Sequence, residues 1–336
     1  MASSILRTLS NDRWQLSLRQ QAGTPEGHSL QVTASDGRTL LFSGGLDSLA
    51  AAHEFGQIGN LQLVSHITRN QPVTNTQIRL VQLLGTRGLQ LPHMQFFVSS
   101  ADAPGFDHDI ENTQRTRSFV FLVLGALVAR RLGHREVLML AENGQMAIHL
   151  PLSQARIAAF STHTAHPDVL TKMQEFLNEV LGTDLRIANP YVLRTKAETI
   201  RAVFEQLRDA VPIANSCWRQ AHLPVGSTHC GECIPCIVRR IAIEYYGPDE
   251  TAYARDSFSD VITELPQEDD ARRNLCEYCE FVLHFERDSE PELMDNWPEL
   301  LSPNIDASAT VQMYRRAARE ARTVLSRYPG LAPILQ

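Results

Sequence analysis

The sequence predicts an α/β protein built on a doubly wound parallel sheet, and three observations carry that expectation. From Asp36 to about Ala188, short apolar runs alternate with longer segments of helical period. The runs are apolar along their length rather than alternating, as strands buried on both faces are. A strand at Thr39–Phe42 also passes straight into Ser43-Gly44-Gly45 and then a helix, the turn that carries ligands at the carboxyl ends of such sheets.

The elements follow in order. The first 35 residues, with Gly23-Thr24-Pro25-Glu26-Gly27, read as an extension that adds an edge strand or a strand pair. Asp47–Phe55 is a helix, Leu61–Ile67 a second strand, and Thr76–Thr86 a helical stretch. His93–Val98 is a third strand, Thr113–Leu132 a long apolar-faced helix, and Glu136–Ala141 a fourth strand. After Pro190 a helix over about Thr195–Leu207 precedes a cysteine-bearing loop, and another helix spans Ile234–Tyr246. Glu264–Glu299 is acidic and interrupted by Pro266, Pro291 and Pro298, so it is expected as a solvated connector. A final helix, Ala309–Ser326, carries Arg315, Arg316, Arg319 and Arg322, with Arg327 just beyond. The expected division is an extension over 1–36, a ligand-binding body with the cysteine cluster over 37–246, and an acidic connector with a helical region over 247–336.

Composition narrows the function. With 43% hydrophobic and 21% charged residues the chain has the make-up of a folded domain. No apolar run approaches the ~18–20 residues of a membrane span. Met1–Ser10 lacks the basic, apolar, small-residue order of a leader, so the expected location is the cytoplasm. A net charge of −7 argues against wholesale binding to nucleic-acid phosphates. Only Lys172 and Lys196 are lysines, so chemistry that needs an amine has two candidates. The six cysteines sit late in the chain and fit reduced, metal-binding thiols better than disulfides.

Two motifs carry chemistry. In Leu41-Phe42-Ser43-Gly44-Gly45-Leu46-Asp47-Ser48, the glycines allow a tight turn, and the amides with the helix N-terminus make an anion site. Ser43 and Ser48 add hydroxyl donors. Asp47 suits a phosphate neighbour only as a helix cap or as help in holding Mg²⁺. The spacing matches neither G-x-G-x-x-G nor the Walker loop, and a bare strand–GG–helix is also compatible with a plain turn. Cys217, Cys230, Cys233 and Cys236 bring four thiolates within reach of one ion. A Zn²⁺ bound by four sulfurs is closed and structural; a thiol redox pair and an iron–sulfur cluster are the alternatives. His222 and His229 lie close in sequence as supporting or surface residues. Cys276 and Cys279 form a lone C-x-x-C, two thiols short of a metal site.

The S-G-G-x-D-S string resembles the loop of the PP-loop, or N-type, ATP pyrophosphatases, which share an adenine-nucleotide-hydrolase-like fold and split ATP into AMP and pyrophosphate. With the cysteine cluster it resembles the QueC family, the 7-cyano-7-deazaguanine (preQ0) synthases. Arg115-Thr116-Arg117-Ser118-Phe119, Pro190-Tyr191 through Thr195-Lys196-Ala197-Glu198-Thr199, Ser216-Cys217-Trp218 and Cys236-Ile237-Val238-Arg239 are similar to that family's segments in the same order. The resemblance covers roughly residues 37–245. It implies a carbon–nitrogen ligase that uses ATP with Mg²⁺ to adenylate the carboxylate of 7-carboxy-7-deazaguanine, with a structural Zn²⁺ in the cysteine knuckle. It also implies that Ser43, Gly44, Gly45, Leu46, Asp47 and Ser48 bind ATP. Lys196 brings positive charge to the triphosphate, with Asp47 and Arg117 as further catalytic residues and Arg115 on the surface.

The stretch after the fourth strand departs from the family's E-x-D-x-S-G-Y-P-D-C-R type segment and reads Glu142-Asn143-Gly144, continuing to Arg156, His163 and His166. Glu142, Asn143 and Arg156 are the expected substrate-binding residues. A carboxylate at a strand end accepts from the N1–H and exocyclic amine of a guanine-like ring. This pattern looks like the QueC-like proteins of anti-phage operons, the Qat and type IV CBASS systems. That resemblance implies transfer of the acyl group to the N-terminal amine of a partner nucleotidyltransferase. The extra segments would dock this protein acceptor, and the arginine helix would dock it, pack in a homodimer or face solvent. With ammonia as acceptor the product is preQ0. tRNA thiolation and a non-catalytic nucleotide-binding scaffold stand further off.

Overall fold

The computed structural model describes residues 1–10, 12–16, 35–67, 71–98, 116–138, 141–153, 164–220 and 223–336. Strands β1 (Ser35–Leu41), β2 (Leu61–Ile67), β3 (His93–Phe97), β4 (His134–Leu138) and β5 (Arg186–Ala188) form one parallel sheet in the order β3-β2-β1-β4-β5. Leu40 of β1 lies opposite Leu63 on one side and Leu138 on the other. Six of the seven β2 residues are buried, as a strand covered on both faces requires. The strand order reverses at the β1–β4 pair, so a crevice opens at the carboxyl ends of these two strands.

Helices α2 (Leu46–Gly56), α3 (Gln71–Thr86) and α7 (Lys196–Gln206) cover one face, with Leu49, Leu80 and Ile200 in a core shared with Leu40 and Leu63. Helices α4 (Arg117–Leu132) and α6 (Pro167–Leu181) cover the other, around Leu41, Val64 and Val137. Gly133, left-handed at φ 71°, stops α4 and turns the chain directly into β4, which therefore begins before the expected Glu136. The extension, expected to contribute strand, is helical over Ala2–Ser10, and its described residues 12–16 form no strand. Helix α1 (Ala2–Ser10) packs Ile5 and Leu9 into the α4–α6 core, while the expected turn around Gly23–Gly27 lies outside the described residues.

The acidic stretch is where the structure corrects the sequence reading most. Glu264–Glu299 is not a solvated connector. It forms α9 (Asp270–Arg287) and α10 (Glu290–Asn296), which pack with α8 (Ile234–Tyr246) and α11 (Ala307–Leu325) around a large apolar core. Leu275, Tyr278, Phe281, Phe285, Leu293 and Trp297 are buried in that core. The acids occupy caps and outer faces: Asp269 accepts from the amides of Ala271 and Arg272, and Ser289 with Glu292 forms a capping box. Pro291 and Pro298 open helical turns, where a missing N–H costs nothing, rather than breaking them.

Candidate active site

The loop after β1 is tied before any ligand arrives. Gly45 N donates to Ser43 Oγ at 3.3 Å, Ser48 Oγ donates to Gly45 O at 3.0 Å, and the two serine hydroxyls lie 3.2 Å apart. Gly44 holds φ 88°, with Gln77 of α3 closely packed beneath it. Leu46 then begins α2, whose N-terminal amides face this loop.

Asp47, on the first turn of α2, joins the two loops of the crevice. Its Oδ2 accepts from Asn143 Nδ2 at 2.8 Å and from Asn143 N at 3.3 Å, across the gap from β1 to β4. Its Oδ1 is paired with Lys196 Nζ at 2.8 Å, and both side chains are about nine-tenths buried. Asn143 also caps the short helix α5 (Gly144–Ile148), its Oδ1 accepting from Met146 N. Lys196 is the first residue of α7, which Thr195 and Glu198 start as a capping box. Its own amide donates to Gln145 Oε1 at 3.0 Å. Gly144 sits so close to Val192 O that a Cβ there would come within 2.3 Å of it.

Among the described residues no cation pairs directly with Glu142, which stands beside this pair. Burial, reinforced by the charge of Asp47, pushes its carboxyl up to about 7, with the Thr164 hydroxyl and the more distant Lys196 opposing the shift. Its backbone carbonyl is held by Asn189 Nδ2 at 2.8 Å. Ala141 before it takes φ 46°, a conformation that costs about 1 kcal/mol or more outside glycine.

The four cysteines Cys217, Cys230, Cys233 and Cys236 converge, all sulfurs lying within 4.8 Å of one another and Cys230 and Cys236 Sγ 3.8 Å apart. Sulfurs at ~2.3 Å from one tetrahedral ion stand ~3.8 Å apart, so the donor set fits a single structural Zn²⁺. Amides of Cys230, Cys233 and Arg219 point at the sulfurs, the outer support such knuckles use. Gly231, at φ 87°, presses against Arg255 O. The neighbouring thiols hold Cys230 far below the usual thiol range. His229 is not a fifth ligand. Burial lowers its pKa to about 2, and its neutral ring accepts from Ser216 N at 3.2 Å. From this knuckle Asn215 reaches the Ser43–Ser48 loop: its amide donates to Gly44 O at 3.0 Å, while its Oδ1 accepts from Cys217 N at 2.9 Å.

Arg117 opens α4 on the carboxyl-end side of the sheet, with burial lowering its pKa. His166 caps α6, its Nδ1 accepting from Asp168 N at 3.2 Å. Arg115, Arg156, His163 and His222 lie outside the described residues. Cys276 and Cys279 sit on α9, where burial pushes the Cys279 thiol up to about 12, far from a nucleophile's range. Four of the five C-terminal arginines are engaged within the chain: Arg316 with Glu198, Arg322 with Glu286, Arg315 with Asp288 O and Arg327 with Glu244 O. Gln145, and the cluster in which Tyr191 and Arg194 both bind Glu54, were not anticipated. The T-x-x-E of Thr195–Glu198 was the legible signal nearby; nothing in the sequence marked Gln145.

No described helix is long and apolar enough to cross a membrane. A relative, the 7-cyano-7-deazaguanine synthase of Paracoccus denitrificans (strain Pd 1222), is 27% identical over 240 residues, covering 65% of this chain and 94% of that protein. A family model described as "Queuosine biosynthesis protein QueC" matches residues 38–247. That span holds the tied loop, the Asp47–Lys196 pair and the cysteine knuckle, and the chain belongs to the QueC family.

Proposed function

We propose that this chain uses Mg²⁺-ATP to activate the carboxylate of a 7-carboxy-7-deazaguanine-like substrate and passes the acyl carbon to ammonia, ending at the nitrile. The observation that carries this reading is the Lys196–Asp47–Asn143 bridge, which sets a buried cation between a phosphate-type loop and the Glu142 segment. A carboxylate is a poor acyl donor. Its oxygen attacks the α-phosphorus, the bond from that phosphorus to the bridging oxygen breaks, and pyrophosphate leaves with the electron pair. The loop amides, Ser43 and Ser48 would hold the phosphates, and Lys196 would exchange Asp47 for the incoming charge. Ammonia then attacks the acyl carbon and AMP departs. A second ATP activates the amide oxygen with release of pyrophosphate, and the carbon–oxygen bond then breaks to expel AMP as the nitrogen gives up both its protons, leaving the nitrile. Glu142 lies where a carboxyl can read the amine edge of a deazaguanine.

A second reading keeps the activation and replaces ammonia with the N-terminal amine of a partner protein in an anti-phage operon. It is favoured by the altered segment from Glu142 to Pro167 and by the helical region that packs behind it. One experiment separates the two: purified protein with Mg²⁺-ATP and 7-carboxy-7-deazaguanine, with and without ammonium, read by mass spectrometry. Ammonium-dependent nitrile supports the first reading. AMP and adenylate that stop short of nitrile support the second. No substrate-dependent AMP overturns both.

A further inference from the structure

The residues C-terminal to the family match do more than shelter the body. Thr195, wholly buried, accepts from Glu198 N at 3.0 Å to cap α7, and its own hydroxyl donates to Glu320 Oε1 at 2.8 Å. Glu320 comes from the middle of α11 and is itself buried. A donated proton leaves the Thr195 oxygen with its lone pairs turned to the helix amide, so the carboxylate orients the cap. Lys196 is the next residue, and its aim at Asp47 depends on where that first turn stands. The same helix reaches the other support of Lys196. Tyr314 Oη donates to Gln145 O at 3.3 Å, and Gln145 Oε1 holds the Lys196 amide. Arg316 closes the frame by pairing with Glu198 Oε1 at 2.6 Å.

We infer that Glu320 is a positioning residue of the active site, acting through the Thr195 cap to hold Lys196 against Asp47. The inference deepens the proposed function by naming what aligns its cation, and it rests on that reading only for the catalytic consequence. The alignment itself is measurable without any substrate, because the chain has two lysines and the second is an internal control. Lys172 is partly exposed on α6, where its Nζ donates to Thr8 Oγ1.

The test is reductive methylation of the folded full-length protein, with the labelling rate of Lys196 divided by that of Lys172 from peptide mass spectrometry. In Glu320→Ala the ratio is expected to rise by about tenfold, the loss of one buried hydrogen bond. In Glu320→Gln, whose amide oxygen still accepts from Thr195, it should stay within about threefold of the parent. An unchanged ratio in a folded Glu320→Ala protein overturns the inference. If that variant does not fold, Thr195→Val against Thr195→Ser asks the same question, and a ratio that rises in neither overturns it. Pyrophosphate release in the same variants should follow the labelling ratio, with the Gln variant rescued. If no variant, parent included, forms AMP from 7-carboxy-7-deazaguanine, the proposed function falls while the labelling ratio still decides the positioning role.

Discussion

Two carboxylates meet at the crevice, one from each side of the point where strand order reverses, and they are treated in opposite ways. On the β1 side Asp47 is given a cation and two N–H donors, so it is fixed and fully satisfied. On the β4 side Glu142, among the described residues, receives one hydroxyl, and burial raises its carboxyl to about 7. The two ends therefore differ in charge: Asp47 is tied to a cation, whereas Glu142 holds its proton until about pH 7. Low dielectric makes both arrangements sensitive to the loss of a single partner.

Breaking the paired end should cost most. Asp47→Ala strands the Lys196 ammonium and both Asn143 donors, and is expected to destabilise by about 3–5 kcal/mol and to cut pyrophosphate release about 100-fold or more. Urea denaturation and a pyrophosphate assay check the two effects, and a near-normal rate would detach the pair from the chemistry. Next comes the knuckle. Cys236→Ser should lower bound zinc and weaken ATP binding together, since Asn215 ties Gly44 to the Cys217 loop. Metal analysis beside nucleotide titration tests this, and full ATP affinity in a zinc-free protein would show the loop to be self-supporting.

Gly144→Ala probes the joint between the two ends. Its Cβ would meet Val192 O at 2.3 Å, so backbone must move, at an expected cost of about 1–3 kcal/mol. A thermal melt of the variant checks it. The smallest effect is at the protonated end and depends on pH. Because Glu142 titrates near 7 in the fold against an ordinary 4.5, its contribution to stability is full below 4.5 and is lost as pH rises through about 7. Glu142→Gln has no such loss, so its stability relative to the parent should improve between about pH 5 and about pH 8. Melting both proteins at the two pH values decides it; a constant gap would mean that Glu142 does not titrate in this range.

What the sequence made legible was whatever is encoded within a few residues. The parallel strands, the Ser43–Ser48 turn, the cysteine convergence and the start of α7 all announce themselves by period, glycine spacing or a capping residue. The Glu264–Glu299 stretch was misread because composition averages over faces. Helix α9 carries its acids outward and Leu275, Tyr278 and Phe281 inward, and its neighbouring prolines sit at helix starts. The site's supports were not legible at all. Gln145, Tyr314 and Glu320 gain meaning only from partners far off in the chain, and a lone Glu on an arginine-rich helix reads as a surface residue.

The bonds that complete the crevice have a kinetic consequence. Asp47 and Asn143 are 96 residues apart in the chain, Lys196 and Asp47 149, and Thr195 and Glu320 125. Contacts of such separation form late, after most loop-closure entropy has been spent. The β1–β4 pairing, with Arg38 opposite Glu136, spans a similar distance, so a chain arrested before these closures has its glycine turn but neither a complete sheet nor an aligned lysine. Recovery of ATP turnover after dilution from denaturant should lag behind recovery of helical signal, marking the final docking of α11 on α7.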